Sequence, residues 1–192
     1  MKLSSGFIKN AAAAIFAVAL LFYGISCNGK EEKEKIDAIK NRAAMPSLHA
    51  NEVTTVISDS GITRYRIYTK QWDIFDKAAE PYWEFPKGIH LERFNEDLTI
   101  DANIHANYAK KMDRQKLWLL RGKVRAINLQ GEMFESERLY WNEYDKKIYS
   151  DTIVKITRQK QVFTAINFES NEALTRYNFT QLQGAMVVEE GK

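Results

Sequence analysis

From Leu98 to Tyr108 apolar and polar residues alternate without interruption. Leu98, Ile100, Ala102, Ile104, Ala106 and Tyr108 fall on one side, and Thr99, Asp101, Asn103, His105 and Asn107 on the other. A period of two puts one face of a β-strand against a core and the other in water. The run of eleven residues is about twice the usual strand length. Its apolar positions also recur downstream. Ile104 is echoed by Phe134 and Phe163, Ala109 by Leu139 and Phe168, Trp118 by Ile148, and Val124 by Val154, at offsets of 30 and 29 residues. A fixed period of that size marks stacked supersecondary units, so the chain reads as tandem hairpin-like rungs.

The rest of the body fits this pattern. Val53 to Ile57, Tyr65 to Lys70 and Tyr82 to Phe94 have strand character, the last interrupted at Pro86-Lys87-Gly88. Asp59-Ser60-Gly61, Lys77 to Pro81, Met112 to Gln115, Gln130-Gly131, Tyr144 to Lys147 and Arg158 to Lys160 are turn signals. The inward parity of Phe134 to Trp141 switches near Arg138, which predicts a bulge. Gly122 between Leu120 and Val124, and Gly184 between Leu182 and Met186, predict places where the sheet bends or packs closely. No helical periodicity follows residue 47. The expected fold is all-β: an elongated, twisted antiparallel β-jellyroll or folded-over sheet over residues 47–188, with a tail at 189–192, because a long open sheet would leave two exposed edges.

The N-terminus is an address. Lys2 and Lys9 precede sixteen mostly apolar residues, Ala11 to Ser26, and the segment closes on Gly-Ile-Ser-Cys. Such a segment is a secretory signal or a membrane anchor, and is short of the ~20 residues of a comfortable span. Ser26-Cys27 resembles a bacterial lipidation box, although Gly24 stands where leucine is usual. Residues 1–27 therefore read as a lipoprotein signal with Cys27 as lipidation site, an uncleaved anchor, or a plain secretory leader; all three place the body outside the cytoplasm. Residues 28–46, with Lys-Glu-Glu-Lys-Glu-Lys, are too polar to fold alone and read as a tether. The formal charge of +3 falls to +1 if Lys2 and Lys9 leave with the signal. That balance argues against nucleic-acid binding by phosphate neutralisation. The basic rows Arg64, Arg66, Lys70 and Arg121, Lys123, Arg125 read as solvated strand faces that could meet an anionic head group.

Catalytic signatures are missing. His49, His90 and His105 lie on separate elements without ligand spacing, and no metal or cofactor is expected. Glu135 and Glu137 share an outward face without a partner to make a glycosidase pair. There is no nucleophile elbow, phosphate loop or dinucleotide fingerprint. The chain does not read as an enzyme.

Tyr65-Arg-Ile67, Asp101-Ala-Asn-Ile-His-Ala-Asn-Tyr108, Leu120-Arg-Gly122-Lys-Val124, Phe134-Glu-Ser-Glu-Arg-Leu139 and Ile148-Tyr-Ser-Asp-Thr-Ile-Val154 resemble the LptC family and the wider OstA-like repeat group, over residues 47–188. LptC proteins are the periplasmic, inner-membrane-anchored subunits of the lipopolysaccharide export machine. The resemblance implies a twisted β-jellyroll whose interior holds lipopolysaccharide acyl chains. It further implies receipt of lipid from an inner-membrane ABC-type extractor and handover to a homologous periplasmic bridge protein by strand-edge pairing. A lipidation-like cysteine in place of the family's usual transmembrane anchor is a departure. Keeping acyl chains dry requires a continuous apolar trough, worth about 25 cal/mol per Å². The candidates for its lining are Tyr65, Ile67, Ile100, Ile104, Ala106, Trp118, Leu120, Val124, Phe134, Leu139, Ile148, Val154, Phe163 and Phe168. The same residues would serve equally in the filled core of a structural envelope lipoprotein. A third use of the chain would be carbohydrate binding through surface aromatics Trp72, Trp83 and Trp141.

Overall fold

The computed structural model describes residues 44–159 and 161–187, all within the second of two units into which the chain divides after Ile39. The expected signal, Cys27 and most of the tether lie outside the described residues. Fourteen strands join in one antiparallel sheet. β1 (Leu48–Asp59) and β2 (Ile62–Phe75) form a long hairpin. β3 (Tyr82–Phe85) and β4 (Ile89–Phe94) are two halves of the next rung, and β5 (Ile100–Ala106) and β6 (Tyr108–Met112) two halves of the one after. β7 (Leu117–Asn128) and β8 (Met133–Asn142) run through. Three further rungs are again divided: β9 (Lys147–Tyr149) with β10 (Val154–Arg158), β11 (Gln161–Ile166) with β12 (Glu169–Asn171), and β13 (Tyr177–Asn178) with β14 (Gln181–Val187). Each rung pairs with its sequence neighbours, so the sheet is a meander.

The interruptions align. Glu52 in β1, residues 86–88, Asn107, Gly122-Lys123, residues 150–153, Asn167-Phe168 and residues 179–180 occupy equivalent places on successive rungs. Together they form a crease at right angles to the strands. Glu52, Gly88, Gly122, Lys123 and Asn167 all take positive φ there, from 49° to 90°. Gly88 has no alternative: a Cβ would stand 2.9 Å from the Ala106 carbonyl oxygen. A Cβ on Gly122 would lie 3.2 Å from that of Asn107. The ladder bonds lost at the crease are replaced by small polar side chains. Thr69 Oγ1 donates to the Gly88 carbonyl at 2.7 Å, Ser150 Oγ to that of Arg138 at 2.7 Å, and Ser136 Oγ to that of Ile153 at 2.9 Å.

Folding along the crease gives two wings that pack face to face. Wing A contains the end of β2, β3, β6, the first half of β7, the second half of β8, β9, β12 and β13. Wing B contains the start of β2, β4, β5, the second half of β7, the first half of β8, β10, β11 and β14. Contact between them is direct. Tyr65 of wing B lies edge-on to Trp141 of wing A at 4.8 Å between ring centroids, and Phe134 of wing B lies 5.1 Å from Tyr177 of wing A.

The all-β expectation holds, and the 30-residue echo has a simple cause. Cross-strand register places Ile104 opposite Ala126, Ala126 opposite Phe134, Phe134 opposite Ile156, and Ile156 opposite Phe163. One repeat is two rungs, and its echoes stand on one line across the sheet. Some local readings differ. The eleven-residue run is two strands split at Asn107. Leu98 lies in the turn before them, 59% exposed with φ 61°. Asp101, expected in water, is 8% exposed because it pairs with Arg93. Trp72 to Phe75, which after the break in alternation at Gln71 read as a bulge or a segment over the barrel mouth, continue β2. The parity switch in β8 faces an extra residue in β7 at Gly122-Lys123, so the bulged strand is β7.

Candidate functional site

Alternation decides which side chains meet between the wings. From wing B come Ile67, Leu91, Ile104, Val124, Ala126, Phe134, Val154 and Ile156, and from wing A Phe85, Ala109, Trp118, Leu120, Leu139, Trp141 and Ile148. Of the fourteen trough candidates, Ile67, Ile104, Ala106, Trp118, Leu120, Val124, Phe134, Leu139, Ile148, Val154 and Phe168 are buried in this one cluster. Tyr65 and Phe163 pack on it half-buried. Ile100 is half-buried at the end of β5 and stands apart from the cluster. The inward side chains are packed against one another, and clefts of 480–760 Å³ among the described residues are lined mainly by polar residues.

The interior row is continuous. Starting at the β1 edge, Thr55 faces Ile67, and the line then runs through Leu91, Ile104, Ala126, Phe134 and Ile156 to Phe163 in β11. Within the described residues β1 pairs only with β2 and β14 only with β11, so the row meets an open strand edge at Thr55 of β1, while at its other end β14 still pairs with β11 beyond Phe163.

Wing A carries a second row, made of rings. Trp83, Trp72, Phe85, Trp118 and Trp141 succeed one another at centroid distances of 5.0, 5.9, 5.7 and 5.5 Å. Burial of these indoles corrects the idea of a surface sugar platform, since Trp141 is enclosed and Trp72 and Trp83 pack on the core. Carboxylates hold two of them: Trp118 Nε1 donates to Glu143 and Trp141 Nε1 to Glu172, each at 2.8 Å. Lys111 is also buried in this wing, 4.4 Å above the Trp83 ring and 3.2 Å from Asp113. The pattern of alternation hid it, because a lysine at an inward position looks like a strand end.

The lips of the wings, opposite the crease, meet through polar groups. Arg93 of wing B pairs with Asp101 on the neighbouring strand and reaches Glu172 of wing A at 3.8 Å. Asn128 Nδ2 donates to the Leu174 carbonyl at 2.9 Å. Burial first, and the Glu172 charge second, raise the Tyr65 phenol above its ordinary range, so it stays neutral beside Arg93.

On the outer face of wing B, His90 and His105 stack at 4.0 Å, although the sequence left them unrelated. Register explains the pairing, since the two stand directly opposite each other on β4 and β5. Outward Glu135 is held between Lys155 at 3.0 Å and Arg125 at 3.4 Å, and these hold its carboxyl below the usual range. Among the described residues no three His, Cys, Asp or Glu side chains gather as a metal site, and no helix is long and apolar enough to cross a membrane.

A creased antiparallel meander closed on a packed apolar interior defines a folded-over β-jellyroll. The family model described as "Lipopolysaccharide-assembly, LptC-related" matches residues 12–181. The chain belongs to the LptC family, and so to lipopolysaccharide transport and cell-envelope biogenesis. Comparison with curated proteins finds no match.

Proposed function

We propose that this chain carries lipopolysaccharide acyl chains along the space between its wings, against Tyr65, Ile67, Ile100, Ile104, Ala106, Trp118, Leu120, Val124, Phe134, Leu139, Ile148, Val154, Phe163 and Phe168. It receives them from the inner-membrane ABC-type extractor and passes them to a homologous periplasmic bridge protein. It stays anchored to the inner membrane through a lipid on Cys27 or through its uncleaved N-terminal segment. The observation that carries this reading is the apolar row from Ile67 in β2 to Phe163 in β11, in a sheet whose outermost strands among the described residues, β1 and β14, each leave an edge open. Open edges suit main-chain pairing with other sheets of the same kind, which would join their interiors end to end. No catalysis is asked of this subunit, because transport energy comes from the extractor.

The close packing of the interior supports a second reading, a filled sandwich that scaffolds an envelope complex. Photo-crosslinking in cells separates the two. A crosslinkable residue at Ile104 or Phe134 captures lipopolysaccharide if the wings part around lipid. Capture confined to outward Asn103, or none at all, leaves only the scaffold.

A further inference from the structure

The hairpin that joins β12 to β13 is half-buried at Asn171, Glu172 and Ala173, exposed at Thr175 and Arg176, and fully enclosed at one position. Leu174, near its tip, is 0% exposed, inserted into the core between the wings, and has φ 56°. A leucine in the left-handed region is strained, and nothing local requires one there. Thr175 and Arg176 beside it are exposed. The hairpin is held together by its own residues: Asn171 Oδ1 accepts from the amides of Thr175 and Arg176 at 3.0 Å each, and the Leu174 amide donates to the Asn171 carbonyl at 3.0 Å. Its polar ties to wing B include the Asn128–Leu174 bond and the 3.8 Å approach of Arg93 to Glu172. Clefts flank it on both sides, one of about 480 Å³ lined by Arg93, Lys146 and Arg176 among others, the second of about 600 Å³ by Glu132, Arg158 and Tyr177 among others.

We propose that the place filled by Leu174 is an acyl-chain subsite, and that residues 171–177 are a displaceable plug for it. This rests on the lipid-carrying reading above and says how a packed interior admits its cargo. Moving the hairpin breaks the Trp141–Glu172 and Asn128–Leu174 bonds and frees Tyr177 from Phe134, and its strained apolar tip gives way to an acyl chain that buries equivalent surface without the strain. Charge fits the same occupant. The adjacent cleft sets Arg93, Lys146, Lys147 and Arg176 against Asp145, Glu169 and Glu172. Arg93 pairs with Asp101 and Glu172 and Lys147 with Glu169, which leaves Lys146 and Arg176 to meet a phosphorylated head while a tail takes the place of Leu174.

The test uses the full chain, purified rough-type lipopolysaccharide, and the variant Leu174→Gly. Glycine is at ease at φ 56°, so the variant removes the competing side chain and its strain together. Removing an internal competitor raises apparent affinity by the factor by which the closed form lowered it; the expected gain is about fivefold or more. Hydrogen exchange supplies a second readout. Lipid loading of the wild type speeds exchange of the Trp141 indole N–H, which displacement of the hairpin frees from Glu172, and leaves the β7–β8 ladder protected. If the wild type binds lipid while Leu174→Gly binds equally or less well and exchange of that indole N–H is unchanged, the plug is overturned and the lipid reading stands. If neither protein binds, both fall.

Discussion

The two wings bury different proportions of ring and aliphatic side chain. Wing A brings Trp72, Trp83, Phe85, Trp118 and Trp141, a file of rings with two indoles tied to carboxylates. Wing B brings mostly aliphatic and small groups, Ile67, Leu91, Ala102, Ile104, Ala126, Ile156 and Ala165, with Phe94 and Phe134 as buried rings and Tyr65 and Phe163 half-buried. Stacked rings with hydrogen-bonded edges are fixed in position, whereas alanines and isoleucines leave a wall that can take other contacts at little cost. The difference makes the ring file of wing A the stiffer frame and the aliphatic wall of wing B across from it the more movable face.

The largest effect should test that assignment directly. Trp118→Ala removes a ring at the middle of the file and leaves Glu143 without its indole donor, which should cost about 3–5 kcal/mol in urea unfolding. Ile104→Val, on the facing wing, should cost only about 0.5–1.5 kcal/mol. Equal losses, or a larger one at Ile104, would break the contrast between frame and movable face.

The crease comes next, since both wings depend on it. Gly88→Ala adds a Cβ 2.9 Å from a backbone oxygen at φ 90° and should cost about 1–3 kcal/mol. Gly122→Ala, at φ 77°, meets only the Asn107 side chain at 3.2 Å and should cost less than Gly88→Ala. Thermal melts of the two variants that coincide would mean the crease is no tighter at one rung than at the other.

The meander was legible in the sequence because its repeat is a period: Ile104, Phe134 and Phe163 lie on one row two rungs apart, and the spacing alone shows it. The crease was only half legible. Gly122 announced a bend, but Thr69, Ser136 and Ser150 are polar residues at inward places, where alternation reads them as strand ends although they satisfy carbonyls the fold has released. The lips were not legible at all. Arg93, Glu172 and Leu174 meet only after the sheet folds over, and no local pattern encodes a contact across some 80 residues. A lone leucine in Asn171-Glu-Ala-Leu-Thr-Arg176 was the one available hint.

The smallest effect concerns the outer faces, where the wings differ again. On wing B, partial burial first, then the charges of His90 and Arg125, hold the His105 imidazole below its ordinary 6.5, against an opposing pull from Glu92. The unfolded chain therefore takes up a proton near pH 6.5 that the folded chain resists. The stability contributed by this site is complete above that value and is lost as the pH falls through the folded one. On wing A the equivalent stack is Tyr140 on Tyr149 at 5.1 Å, and burial raises Tyr149 further from neutrality. Urea melts at pH 7.5 and pH 5.5 should show the wild type losing more stability than His105→Gln, by less than about 1 kcal/mol because the ring is exposed and screened. Tyr140→Phe should leave the loss unchanged. If His105→Gln loses as much as the wild type, the acid sensitivity lies elsewhere and the outer faces do not differ in this respect.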